Sequence, residues 1–315
     1  MSGSEPPAVS ALVVNHNAGD WLRVCLESLQ AIAEAWRSED GEAERGAAST
    51  LEAVVVDNAS VDGSTGMVRE LAADASTALP VRLVEAGRNL GFGAACNLAA
   101  EKSAGRHLLL LNPDARIDEE SLRGLVEAQE LDERLAVAAP ALRYPDGSRQ
   151  FVWSPPVGVP GEAIQRLRNR FEKAAWNHGL LPRLLKPLVG AGWHTAACLL
   201  VRRSAFEEVG GFDEGFFLYF EDADLCLRLH RAGYRQHEVA GARAWHVRGA
   251  MTGADGERSL IPGVERFYRA SQLRYYELHR PRWERAVLRR RLRRRFRGIG
   301  DEKHRNAMLR LLDEA

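Results

Sequence analysis

Residues 51–60 read LEAVVVDNAS, an apolar run that ends abruptly in small and polar residues. The run from Leu51 to Val56 has the β-branched composition of a buried strand. Asp57 and Asn58 follow it directly, where a parallel strand would present its carboxyl end. Because ligands bind at that end of an open α/β sheet, these two side chains are the first candidates for a binding site.

Similar runs stand on both sides of this segment, at 11–14, 81–84, 107–111, 135–139 and 198–201. Amphipathic helical patterns separate the first of them, at 21–36 and 61–73, and Asp20 precedes the first helix as a candidate N-cap. Residues 37–50 are polar, as a loop would be. This alternation predicts an α/β fold with parallel strands and crossover helices.

The composition is that of a stable globular protein of 315 residues, with 43 basic and 43 acidic side chains. The zero net charge gives the whole molecule no bias towards nucleic acid. Four widely spaced cysteines, Cys25, Cys96, Cys198 and Cys226, are predicted to be core residues in a reducing compartment. No signal-peptide pattern follows Met1 and no apolar stretch approaches the roughly 20 residues of a membrane span, so a cytoplasmic location is expected.

Polar residues follow four of the predicted strands. They are Asn15, His16 and Asn17; Asp57, Asn58, Ser60 and Asp62; Arg88, Asn89 and Gly91; and Asn112, Pro113 and Asp114. Each group alone is typical of turns and helix caps. Together, with a helix at Gly91 whose backbone N–H groups face an anion, they predict a site for a phosphorylated ligand. Cys96 replaces the third glycine of the dinucleotide fingerprint, which argues against an NAD enzyme.

These junctions and two later segments, VGGFDE at 209–214 and FFLYFEDADL at 216–225, resemble glycosyltransferase family 2. The resemblance is strongest to its rhamnosyltransferase-like branch and runs from about Ser10 to about Gly249. It implies a GT-A fold, a Rossmann-like mixed sheet flanked by helices. The implied division is a GT-A domain at 1–250, with a nucleotide-sugar half at about 10–115 and an acceptor half at 116–250, followed by a helical extension at 251–315.

The resemblance also implies roles for single residues. Asp57 matches the aspartate that binds the base, and the predicted nucleotide-sugar site further includes Asn15, Asn17, Asn58, Asn89 and Asn112. Asp114 and His246 match metal-binding positions, with Mg²⁺ or Mn²⁺ as the cofactor. Asn112 stands where the full motif has a carboxylate, which leaves the identity of the metal open.

Asp222 matches the family's catalytic base, which removes a proton from the acceptor hydroxyl. The alternative is that the acidic group Glu221, Asp222 and Asp224 only complements the dipole of the following helix, an explanation that suits Asp224. Trp193, His194 and Glu221 are the candidates for acceptor binding, although Trp193 would also suit a core position.

The resemblance therefore implies an inverting glycosyltransferase. The favoured reaction moves rhamnose from dTDP-rhamnose to a glycan or polyprenyl-linked acceptor in cell-envelope polysaccharide synthesis. A UDP-hexose donor is the first alternative, and a catalytically silent nucleotide-sugar-binding protein is the second. A nucleotidyltransferase is disfavoured, because Asn15, His16 and Asn17 stand where its glycine-rich signature would be.

The C-terminal segment carries arginines at 289–291 and 293–295 around Leu288, Leu292 and Phe296, which share one side of a helix. Two interpretations remain open. The apolar stripe docks the helix on the domain, or residues 288–297 lie on an anionic membrane at the inner face of the plasma membrane, since the family often uses lipid-linked acceptors.

Overall fold

The computed structural model describes residues 8–39, 50–170, 192–247 and 262–314. Its strands are β1 (Val9–Asn15), β2 (Leu51–Asp57), β3 (Val81–Glu85), β4 (His107–Leu111), β5 (Ala115–Ile117), β6 (Leu135–Arg143), β7 (Trp153–Ser154), β8 (Trp193–His194), β9 (Cys198–Arg202) and β10 (Arg235–His246). Its helices are α1 (Asp20–Glu39), α2 (Ser64–Ala73), α3 (Phe92–Glu101), α4 (Glu119–Leu131), α5 (Val159–Asn169), α6 (Arg203–Glu208), α7 (Glu221–Arg231), α8 (Pro262–His279), α9 (Arg282–Arg297) and α10 (Glu302–Glu314).

The main sheet is mixed, with strand order β3-β2-β1-β4-β9-β6-β10-β5. β1 pairs in parallel with β2 and β4, and β2 with β3, as the alternation of strands and helices predicts. β9 is antiparallel to β4 and β6, and β5 is antiparallel to β10. The predicted mixed α/β architecture is confirmed, and each antiparallel pair of the main sheet includes β9 or β10.

Helices pack against the strands of the main sheet, α1 against β2, α3 against β1 and β2, and α4 against β6 and β10. Every residue of β1 and β4 is buried, which is why these strands read as continuous apolar runs. The four cysteines are free thiols within this interior, and each is buried. Their predicted role as small core residues is confirmed.

A second core joins the C-terminal helices to the domain. Leu288, Leu292 and Phe296 of α9 are at most 1% exposed and belong to the same buried cluster as Phe216 and Tyr276. The interpretation in which this apolar stripe docks the helix is confirmed, and a membrane contact through the stripe is ruled out because protein atoms cover it. The predicted boundary at 251 falls outside the described residues.

Two sequence expectations need adjustment. Residues 37–39 extend α1, while 40–49 of the predicted loop fall outside the described residues. β10 was not predicted, because its sequence RQHEVAGARAWH lacks an apolar pattern. None of the described helices is both long and apolar enough to cross a membrane.

Candidate active site

A cavity of about 500 Å³ lies beside the carboxyl ends of β1, β2 and β4. His16, Asn58 and Asn112, which follow these three strands, line one side of it. Further lining residues come from α5, from residues 217–220 before α7, and from Tyr268 of α8. Helix α8 therefore takes part in the cavity as well as in the second core.

Asp114 and His246 meet on the cavity wall. The antiparallel pairing of β10 with β5 places His246 opposite Ala115, next to Asp114. The Nε2 atom of His246 lies 3.4 Å from Oδ1 of Asp114. Gln150 fixes the position of His246 through two contacts. Its Nε2 donates to the His246 carbonyl at 2.6 Å, and its Oε1 lies 3.2 Å from the ring Nδ1.

This pair fits a divalent cation. Asp114 is 6% exposed, and its Oδ1 accepts no hydrogen bond from the described residues; the 3.4 Å approach of His246 is an electrostatic contact only. A buried carboxylate oxygen without a donor is costly unless a cation satisfies it. If a cation binds here, Asp114 and His246 would supply one oxygen and one nitrogen ligand. The described residues contain no group of three metal-binding side chains, so further ligands would have to come from diphosphate and water.

Asp222 lies in the first turn of α7 and lines the cavity. Its Oδ1 accepts a hydrogen bond from the Ala223 N–H at 2.8 Å, and its Oδ2 accepts one from the Ala196 N–H at 3.3 Å. Burial raises the pKa of Asp222 to about 6, against the opposing effect of these two hydrogen bonds. The carboxylate is therefore mostly ionised at neutral pH and is a stronger base than an exposed aspartate.

Glu221 is 5% exposed and lines the same cavity. Burial, together with the neighbouring charge of Asp222, raises the pKa of Glu221 well above its usual range. Its Oε2 atom has no hydrogen-bond partner among the described residues. Two carboxyl groups in one cavity titrate as a pair, and the arrangement favours a protonated Glu221 beside an ionised Asp222.

Asp224 points elsewhere. Its carboxylate accepts a hydrogen bond from Nε of Arg228 at 2.7 Å and lies 2.7 Å from Nε2 of His279 in α8. It is 1% exposed and does not line the cavity. Asp224 therefore links α7 to the C-terminal helices, a structural role beyond the predicted complement to the helix dipole.

The segment before α7 has an unusual backbone. Tyr219 and Phe220 have φ angles of +69° and +68°, a left-handed conformation that costs about 1–2 kcal/mol for a residue with a side chain. α8 compensates, since Tyr268 packs edge-on against both rings, at 5.4 and 5.1 Å between centroids. Ser271 also donates a hydrogen bond to the Leu218 carbonyl at 2.9 Å. The strained segment places aromatic side chains along the cavity next to Asp222.

The predicted nucleotide-sugar residues divide into two groups. Asn58, Asn89 and Asn112 line the cavity, whereas Asn15, Asn17 and Asp57 do not. Nδ2 of Asn15 donates to Asp57 at 2.9 Å and to Ser64 at 2.8 Å. Oδ1 of Asn17 accepts from the Val61 N–H at 2.8 Å. These contacts brace the two strand ends, and the roles of all six residues in nucleotide binding stay predictions.

The start of α3 differs from the expectation of free N–H groups. The Gly91 N–H donates to Oδ1 of Asn89 at 2.9 Å, and the Phe92 N–H donates to the Phe217 carbonyl at 2.9 Å. A Cβ on Gly91 would lie 2.2 Å from that carbonyl oxygen, so the close approach requires glycine. The expectation that these two N–H groups are available to an anion is wrong, because the Asn89 side chain accepts from one and the 217–220 segment accepts from the other.

The three candidates for acceptor binding also differ in whether they line the cavity. Trp193 and Glu221 line the cavity, while His194 is fully buried away from it with Nδ1 3.2 Å from Oε1 of Gln236. Several cavity residues were given no individual role by the sequence, although His16 and Tyr219 stand in the quoted motifs: His16, Gln150, Thr195, Tyr219 and Tyr268. Gln150 and Tyr268 stand in no motif, and only the packing of distant segments reveals their position.

The sequence profile of glycosyl transferase family 2 matches residues 10–210, which is more than half of the chain. The chain belongs to glycosyl transferase family 2. The match covers the strand-end residues up to Asp114 and the Trp193 region, while the Glu221–Asp222 pair and His246 follow it. The family predicted from the motifs is confirmed.

Rhamnosyltransferases of two bacteria are among the curated relatives. The N-acetylglucosaminyl-diphospho-decaprenol L-rhamnosyltransferase of Mycobacterium tuberculosis is 34% identical over 192 residues, 56% of this chain and 61% of that protein. Rhamnosyltransferase WbbL of Escherichia coli is 41% identical over 83 residues, 26% of this chain and 30% of that protein. The chain thus spans about three fifths of the length of the mycobacterial relative. These matches confirm the resemblance to the rhamnosyltransferase-like branch.

Solved structures confirm the fold. GalNAc-T7 with UDP, GalNAc and Mn²⁺ superposes with a TM-score of 0.54 at 15% identity, over 87% of this chain and 50% of that chain. The mannosyltransferase PcManGT from Pyrobaculum calidifontis, with GDP-Man and Mn²⁺, gives 0.50 at 18% identity, over 98% and 86% of the two chains. The GT-A fold expected from the motifs is thereby supported across both halves of the sheet.

Proposed function

We propose that this protein is an inverting glycosyltransferase that moves rhamnose from dTDP-rhamnose to a hydroxyl of a lipid-linked glycan. The observation that carries the proposal is that one cavity contains both the Asp114–His246 pair and the Asp222 carboxylate. The preference for rhamnose rests on the named activities of the two bacterial relatives.

Asp222 is the proposed general base. The acceptor oxygen forms a bond to the anomeric carbon while the bond from that carbon to the diphosphate breaks, and the hydroxyl proton passes to Asp222. Attack on the face opposite the leaving group inverts the anomeric configuration. The hydrogen bonds from Ala196 and Ala223 hold the carboxylate in one orientation without neutralising it.

Asp114 and His246 are the proposed ligands of Mg²⁺ or Mn²⁺, and Gln150 fixes the histidine ring. When bound, the cation would stabilise the negative charge that develops on the leaving diphosphate. Support comes from the unsatisfied Oδ1 of Asp114 and from the Mn²⁺ present in both superposed structures.

The acceptor is proposed to lie against the aromatic wall formed by Trp193, Tyr219 and Tyr268, next to Asp222. Aromatic faces stack on the apolar faces of sugar rings. The mycobacterial relative's name describes a diphospho-decaprenol acceptor, so we place the reaction at the cytoplasmic face of the plasma membrane.

A donor screen tests the proposal. Purified protein with Mg²⁺ or Mn²⁺ is titrated with dTDP-rhamnose, UDP-glucose, UDP-galactose and GDP-mannose, and binding and release of nucleoside diphosphate are measured. We expect dTDP-rhamnose to bind best and to be turned over. Preference for a UDP-hexose would favour the first alternative donor, and binding without turnover would favour a silent binding protein.

A further inference from the structure

The solvent face of α9 is the strongest unassigned feature of the described surface. At 100° per residue, eight positions fall within an arc of about 140° opposite the buried Leu288 stripe. They are Arg282, Trp283, Ala286, Val287, Arg290, Arg293, Arg294 and Arg297, and all are exposed. We call this set the α9 outer face. It contains five arginines and no acidic residue.

The charges of the α9 outer face are largely uncompensated. Arg282, Arg290, Arg294 and Arg297 form no ion pair with any residue that the structure describes, and Arg293 has only an exposed partner, Asp313, at 3.2 Å. The whole chain has no net charge, so this concentration of cations is a local feature. A cluster of this kind attracts an anionic surface.

Two apolar side chains accompany the arginines. Trp283 is 57% exposed and Val287 is 42% exposed, one helical turn apart on the α9 outer face. An exposed tryptophan beside arginines is typical of helices that lie in the headgroup region of a membrane. A nucleic acid or an acidic protein would also be attracted by the charges, but the absence of acidic residues on this face, together with an exposed Trp–Val pair at the level of the arginines, fits an anionic lipid surface best, and the test below separates the three.

We infer that the α9 outer face docks the protein on an anionic lipid bilayer. The partner surface is thus the opposite side of the helix from the apolar stripe suggested by the sequence. On another side of α9, Arg291 forms an ion pair with Glu162 of α5, which lines the cavity. Docking through α9 keeps the cavity close to the membrane, a benefit that rests on the proposed lipid-linked acceptor.

The docking is electrostatic and reversible. The helix stays packed on the second core, so only Trp283 and Val287 reach the lipid, and the arginines contribute most of the affinity. Each arginine near an anionic surface is worth roughly 5-fold in binding. Binding should disappear at about 1 M salt, where charges more than about 3 Å apart are screened.

The test measures cosedimentation of the full chain with phosphatidylglycerol–phosphatidylcholine vesicles and with phosphatidylcholine vesicles at low salt. The variant carries Arg290→Gln, Arg294→Gln and Arg297→Gln. The matched control carries Arg23→Gln, Arg106→Gln and Arg134→Gln, three exposed arginines in α1 and in two loops away from α9, with the same change in net charge. We expect anionic vesicles to bind the wild type and the control equally and the α9 variant roughly 100-fold more weakly.

A Trp283→Phe variant adds a second readout, the loss of tryptophan quenching by brominated anionic lipid. The inference is overturned if the α9 variant binds like the wild type, if the control loses binding equally, or if neutral vesicles bind as well. It is also overturned if the wild type binds duplex RNA or an acidic protein but no vesicle. Donor turnover should be the same in the wild type, the α9 variant and the arginine control. If the wild type does not turn over the donor at all, that result contradicts the proposed function and leaves the inference about membrane docking untouched.

Discussion

At the scale of single residues, Asp222 allows chemistry and folding to be measured separately. Asparagine retains the oxygen that accepts from the Ala223 N–H, the shorter of the two backbone hydrogen bonds. It cannot accept the acceptor's proton. We expect Asp222→Asn to lower the transfer rate by roughly 10²–10⁴-fold and to leave donor affinity nearly unchanged. Rate and calorimetric affinity are measured on one preparation.

Asp224→Asn is the natural comparison for Asp222→Asn, two positions further along α7. It removes the charge that pairs with Arg228 and His279 in a buried setting. We expect a loss of roughly 3 kcal/mol in the free energy of unfolding, with the rate per folded molecule retained. Denaturant unfolding and active-site titration separate the two quantities. If Asp224→Asn keeps normal stability but loses turnover, Asp224 would be the general base and Asp222 the structural residue.

The pH dependence follows from the raised pKa of Asp222, about 6. The ionised carboxylate is the active form, so activity should be present above pH 6 and fall as the pH drops through that value. We expect kcat/KM to lose about 10-fold per pH unit on the acid side, with an apparent pKa that belongs to the Glu221–Asp222 pair. A flat profile between pH 5 and 7 would argue against Asp222 as the base.

The metal proposal is tested by removal and return. EDTA should suppress transfer, and Mg²⁺ or Mn²⁺ should restore it. His246→Ala should raise the metal concentration needed for half-maximal activity by roughly 10–100-fold, because one of the two protein ligands is lost. Full activity in verified metal-free solution would mean that Asp114 and His246 serve another purpose.

At the scale of elements, α9 has two faces with different functions. Leu292 is 1% exposed in the second core, so Leu292→Ala should cost about 2–5 kcal/mol of stability. Vesicle binding per folded molecule should remain, since the α9 outer face is unchanged. The measurement pairs thermal unfolding with cosedimentation. Unchanged stability together with lost vesicle binding would mean that the Leu288–Leu292–Phe296 stripe, and not the α9 outer face, contacts the membrane.

At the scale of the whole molecule, the C-terminal helices stabilise the catalytic domain through the second core. α9 and α10 contribute Leu288, Leu292, Phe296, Met308 and Leu312 to the core that contains Ala223, the neighbour of Asp222. Five such side chains are worth roughly 10 kcal/mol, close to the net stability of a typical domain. A chain ending at Pro281 should therefore lose cooperative unfolding, as followed by circular dichroism. A truncated protein with wild-type melting would show that the domain folds alone.

Local pattern was enough to predict the parallel half of the sheet and the family. Apolar runs such as Leu51–Asp57 are buried on both faces, so their composition alone marks them as strands. Some of the polar residues that follow these runs, such as Asn58 and Asn112, line the cavity because parallel strands share one edge, while Asn15, Asn17 and Asp57 bond within the protein instead. Asp114 and Asp222 could be named in advance, since each lies in a short ordered motif.

Packing between distant segments decided the rest. β10 has no apolar period, so its place beside β5, and the approach of His246 to Asp114, depend on strand pairing. Tyr268 reaches the cavity only because α8 packs on the strained 217–220 segment. Packing between distant segments also decides the role of α9. Its pattern of leucine and arginine is compatible with docking on protein or on lipid. The choice between its two faces is made by the second core, which buries the leucines and leaves Trp283 and the arginines outside.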